Sequence, residues 1–95
     1  MTELGKIIEE HRDRHGHPPY ASIARAIGVA PQTLDSWRNR GMKTVPRNKA
    51  PLRKLAAEVG LPYDVIAQAI AVDVGLMDSM PPFRWPERGE GRRFR

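Results

Sequence analysis

The chain has 95 residues, with 16 Lys+Arg against 11 Asp+Glu and a formal net charge of +5. That length fits one small domain and leaves no room for a two-domain enzyme built around a deep cleft. Cysteine is absent, which excludes disulfides, thiolate metal sites and cysteine nucleophiles.

No apolar run approaches the roughly 18–20 residues that span a bilayer. The N-terminus lacks the basic-then-apolar order of a signal peptide, so a soluble, cytoplasmic chain is expected. The first predicted helix covers residues 2–15: Leu4, Ile7, Ile8 and His11 recur at helical spacing, with charged residues between them. Thr2 is placed to cap it and Gly16 to stop it. His17-Pro18-Pro19 is a rigid connector that cannot lie inside a helix. A second helix follows over Tyr20–Ile27, with Ile23, Ala24 and Ile27 on one face, and Gly28 ends it. Pro31 then opens a third helix, since the first helical position tolerates a missing N–H. This third helix runs to about Arg40, buries Leu34 and Trp37, and closes at Gly41.

Residues 41–49 read as a basic loop, and residues 50–59 as a fourth helix with Leu52, Leu55, Ala56 and Val59 on its apolar face. Pro62 opens a fifth helix over about 62–74, where Asp64 suits the positive end of the helix dipole. Beyond its first turn only Gln68 and Asp73 are polar. One face of such a helix packs on the domain, and a second is left to be covered by a partner copy or by the chain's own tail. A homodimer contact through Val65, Val72 and Leu76 is preferred here, because sizeable apolar patches mark interfaces; a monomer is the alternative. The tail, 76–95, is rich in proline and arginine and is expected to be irregular, with Pro-Pro-Phe-Arg-Trp-Pro able to dock its aromatics on the domain.

Charge is segregated along this plan. Residues 38–54 hold Arg38, Arg40, Lys43, Arg47, Lys49, Arg53 and Lys54 and no acid, whereas 55–80 hold acids and no Lys or Arg. A molecule with one cationic side attracts polyanions.

What adjoins the basic run gives it meaning. Two short helices joined by a three-residue turn cross steeply, which requires a small residue at their approach (Ala24) and favours glycine in the turn (Gly28). Ile23, Ile27, Val29, Leu34 and Trp37 supply the apolar lock. The stretch Tyr20–Asn39 therefore resembles the helix-turn-helix of the phage Cro/cI repressor-like family, with Ala24, Gly28, Val29, Leu34 and Trp37 at that family's small, turn and core positions. The run Trp37-Arg38-Asn39-Arg40-Gly41 is similar to small actinobacteriophage-type regulators. Ala30 departs from the family's usual Ser or Thr cap, and Tyr20 from its usual Gln. The resemblance spans about residues 1–75. It implies an all-α, five-helix, lambda-repressor-like domain that binds specific double-stranded DNA, regulates transcription by operator occupancy and needs no cofactor.

In such a motif the second helix enters the major groove. Its outward positions are Gln32, Thr33, Asp35, Ser36, Asn39 and Arg40. Of these, Gln32, Thr33, Ser36, Asn39 and Arg40 are the candidate base contacts: Gln32 and Asn39 suit adenine, Arg40 guanine, and the Thr33 methyl thymine. Tyr20, Ser22, Arg38, Lys43, Arg47 and Lys49 are the candidate phosphate contacts. A metal site at His11, His15 and His17 is not expected, since no thiol or metalloprotease pattern accompanies the pair four residues apart. No glycine-rich phosphate loop or serine elbow points to an enzyme. The other functions the sequence leaves open are a recombination directionality factor and a protein-binding antirepressor acting through the fifth helix.

Overall fold

The computed structural model describes residues 1–85. Among these residues it is all-helical: α1 (Glu3–Arg14), α2 (Tyr20–Ile27), α3 (Pro31–Asn39), α4 (Ala50–Val59) and α5 (Tyr63–Asp73). The predicted limits hold to within a residue at each end, because the expected caps are the ones used. Thr2 accepts the Gly5 N–H at 2.8 Å, and Gly28 closes α2 in the left-handed region at φ 81°. At Gly28 a side chain would be strained, and the Gly28 and Val29 N–H groups both return to the Ala24 carbonyl, at 2.9 and 3.0 Å.

Each helix contributes to one core. Leu4, Ile7 and Ile8 of α1 meet Ile23, Ala24 and Ile27 of α2, Leu52, Leu55 and Val59 of α4, and Ile66, Ala69 and Ile70 of α5. Burying a side chain of this size stabilises by about 1.5–3 kcal/mol against leaving it in water. α3 contributes least, with Leu34 its only fully buried residue and Trp37 half-buried beside it.

α5 corrects the sequence reading. From Val65 to Val74 none of its residues is exposed, and Val65, a candidate dimer residue, is a core residue at 8 % exposure. α5 packs on α1 and α4, and the chain's own Met80, Phe83 and Trp85 pack on the core. Val72 is half-buried; of the three proposed contacts only Leu76 stays exposed, at 73 %. Residues 74–85 are irregular, as expected, and the docked aromatics include Trp85, whose ring lies 5.0 Å from the Arg14 guanidinium. The arginine-rich end of the tail, 86–95, lies outside the described residues.

Asp73 was legible only as a polar interruption of α5, yet it joins both ends of the domain. Its carboxylate accepts the Glu3 N–H at 2.8 Å and the Leu4 N–H at 3.2 Å, at the start of α1. The same start of α1 rests on the end of α3: Thr2 N–H donates to the Arg38 carbonyl at 3.0 Å, and the Thr2 hydroxyl to the Trp37 carbonyl at 2.7 Å. Gly5 makes this approach possible, since a Cβ there would stand 2.5 Å from the Arg38 carbonyl oxygen.

Two stability predictions follow from this packing. Alanine is the better helix former by about 1 kcal/mol, but Gly5→Ala is expected to lower the unfolding free energy by about 1–3 kcal/mol net in a urea titration, because the clash is with backbone. His11, at 5 % exposure with Nδ1 unpartnered, has its pKa lowered by burial and by neighbouring His15, against an opposing pull from Glu58. A base depressed in the folded state takes up protons more readily when unfolded. The stability is therefore whole above the ordinary value of 6.5 and falls as pH drops through the folded pKa. His11→Leu is expected to flatten the stability profile in that window.

Candidate nucleic-acid interface

α3 begins at Pro31 and has no side-chain cap at Ala30, so its first turn is open to solvent. With only Leu34 and, partly, Trp37 and Arg38 turned inward, helical periodicity gathers Gln32, Thr33, Asp35, Ser36, Asn39 and Arg40 on the opposite side. Gln32, Thr33, Asp35, Asn39 and Arg40 are exposed and Ser36 is half-buried. Pro31, Gln32, Asp35, Ser36 and Arg40 line one open depression on this surface. All five candidate base contacts thus share one face of one short helix.

Within this face two residues are linked. The Asp35 carboxylate takes the Asn39 amide at 2.9 Å and an Arg38 guanidinium N–H at 3.0 Å, both on Oδ1. Spacings of three and four residues make this pairing readable from the sequence. Arg40 forms no ion pair among the described residues.

Among the candidate phosphate contacts, two are placed elsewhere. Arg38 is 11 % exposed; it bridges Glu9 at 3.4 Å and Asp35 at 3.0 Å, and its guanidinium carbon lies 3.7 Å from the Tyr20 ring centroid. Tyr20 is half-buried, hydrogen-bonds Glu9 through its hydroxyl, accepts from Arg12 at 2.9 Å and carries the Arg12 guanidinium over its ring at 4.0 Å. Both side chains are therefore committed to a cluster that ties α1, α2 and α3 together, and neither is free to reach a phosphate without abandoning it. Sequence periodicity could not reveal this, because it depends on which residue of α1 opposes Arg38.

Ser22 on α2 and Lys43 and Arg47 on the loop are exposed, and Lys49, the first cap of α4, is half-buried. None of these three cations pairs with an acid among the described residues. One further cation was absent from the sequence-based set: the Lys54 ammonium comes within 3.9 Å of where a Gly28 side chain would begin, beside the turn between α2 and α3. Its position off the Leu52–Leu55–Val59 face of α4 was the available signal. The His11–His15 rings lie 4.5 Å apart, but no group of three or more potential metal ligands occurs among the described residues.

Comparison with models of known families, with curated proteins and with solved structures finds no match.

The Glu9 cluster yields a pH prediction. Burial pushes the Glu9 carboxyl up, but the Tyr20 hydroxyl and the charges of Arg12 and Arg38 outweigh it and leave the pKa below its ordinary value of 4.5. For a carboxyl depressed in the folded state, the stabilisation is present above the unfolded pKa and is lost as pH falls through the folded one. Glu9→Gln is expected to cost about 1–3 kcal/mol at neutral pH and to reduce the acid-side loss of stability, both read by denaturant titration across pH.

Proposed function

We propose that the chain is a lambda-repressor-like domain that binds specific double-stranded DNA and regulates transcription by occupying its operator. The observation that carries this reading is the surface of α3: a short helix with one fully buried side chain, four exposed polar residues on one side and the exposed Arg40 at its C-cap. The third helix of five, preceded by a glycine turn, suits the major groove, which admits one α-helix. Gln32, Thr33, Ser36, Asn39 and Arg40 are the base-reading set. With Tyr20 and Arg38 withdrawn, Ser22, Lys43, Arg47 and Lys49 supply the phosphate contacts, and Lys54 joins them.

Positively charged side chains without acidic partners favour release of counterions from the duplex, so affinity falls as salt rises. Bound protein then excludes polymerase from an overlapping promoter. Such a regulator belongs in the cytoplasm of a bacterial host, as a phage or prophage product. Among the described residues no single helix is long and apolar enough to cross a membrane. Because Val65 lies in the chain's own core, one protomer per site is the proposed stoichiometry. A symmetric dimer would instead protect two half-sites about 34 Å apart and would rest on Leu76 rather than Val65.

The test is binding to a duplex selected from random sequence, measured across a salt series. Arg40→Ala is expected to relax base preference at one position, with discrimination falling by about 1–3 kcal/mol. Lys43→Ala is expected to weaken all duplexes evenly and to reduce the salt slope by about one. If Arg40→Ala also weakens all sequences evenly, Arg40 does not read a base; if no duplex is enriched, the DNA reading fails.

A further inference from the structure

An acid in the middle of a surface offered to DNA is the feature this reading leaves unexplained. Asp35 has a side chain that is 66 % exposed and lines the same depression as Gln32, Ser36 and Arg40. Near phosphates its charge is unfavourable. Its partner Arg38 also bridges Glu9 and lies against the Tyr20 ring.

The bonds of the carboxylate are lopsided. Both intrahelical donors, from Arg38 and Asn39, fall on Oδ1, and Oδ2 accepts none among the described residues. Two donors therefore fix the group's orientation and leave one anionic acceptor open at the face of α3. In the major groove only two base groups donate, the amino groups of cytosine and adenine, and a carboxylate matches the cytosine amino group. Guanine, the partner of cytosine, presents two acceptors, which suit the Arg40 guanidinium in the same depression.

We infer that Asp35 is a specificity-determining residue that reads the amino group of a cytosine through Oδ2, with its carboxylate held in place by Arg38 and Asn39. The inference rests on the DNA-binding reading above. Its chemistry makes a directional demand. An asparagine at 35 keeps its carbonyl toward Arg38, because a guanidinium can only donate, and turns its own amide N–H outward. A donor then stands where an acceptor stood, and the preferred base changes from one bearing an amino group to one bearing a keto oxygen, thymine or guanine.

The experiment is selection from random duplexes with the wild-type chain, Asp35→Asn and Asp35→Ala, followed by competition binding on the selected sites and by circular dichroism of each variant. The wild type is expected to enrich cytosine at one position, with a preference of about fivefold to tenfold over thymine. Asp35→Ala is expected to lose that preference alone, and Asp35→Asn to reverse it, even where removal of a negative charge raises affinity for every duplex. Preferences unchanged in both variants, with uniformly tighter binding, would mean that Asp35 only repels phosphate and would overturn the inference while sparing the function. Enrichment of no sequence by the folded wild type would end both.

Discussion

The domain is closed where the start of α1 meets the end of α3. Two helix termini of opposite polarity face each other there, so the unsatisfied N–H groups of one lie against the unsatisfied carbonyls of the other. Thr2 serves both sides of this junction, accepting from Gly5 and bonding to the last carbonyls of α3. Asp73 adds a full negative charge from the end of α5 to the same N-terminus. Three helix ends far apart in sequence are thereby fixed in one small region. The direction in which α3 points depends on this junction more than on its own sparse core contacts, since Leu34 alone does not define an axis.

A second tie acts on the inward side of α3. Glu9 collects the Tyr20 hydroxyl and the Arg12 and Arg38 guanidinium groups, all partly withdrawn from water, where charge-assisted bonds are stronger than at an open surface. The consequence reaches the opposite face of the helix. Arg38 is neutralised by Glu9 and Asp35, so the cationic character of the molecule is carried by Arg40 and by the residues that follow it. The basic run in the sequence is thus divided by folding into one structural arginine and a set of cations that pair with no acid among the described residues.

Much of this plan was legible before the fold was known, for identifiable reasons. Helix limits followed from Thr2, Gly28, Pro31 and Gly60, whose effects are local. The open side of α3 followed from the spacing of Leu34 and Trp37. What periodicity could not supply was the identity of opposing residues. Arg38 and Tyr20 look as exposed in sequence as Lys43 does, and only the seating of α1 on α3 places Glu9 against them. At α5 Val65 was misplaced for a different reason: in a helix of near-continuous apolar character, periodicity does not say which face packs on α1 and α4. Asp73, which breaks that apolar run, was the clue that its end meets another helix.

The distribution of burial explains how so small a domain can keep one helix polar. α1, α2, α4 and α5 contribute all but one of the buried helical side chains, and α3 contributes Leu34. Stability is therefore carried mainly by the inward faces of the other four helices, while α3 adds Leu34, its end contacts and one inward arginine. Substitutions on the outer face of α3 then change what is recognised at little cost to folding, because those side chains bury almost no apolar surface. The same arrangement gives the terminal contacts weight: with Leu34 buried and Trp37 half-buried, α3 is also held at its end by Thr2 and on its inward side by Glu9 through Arg38.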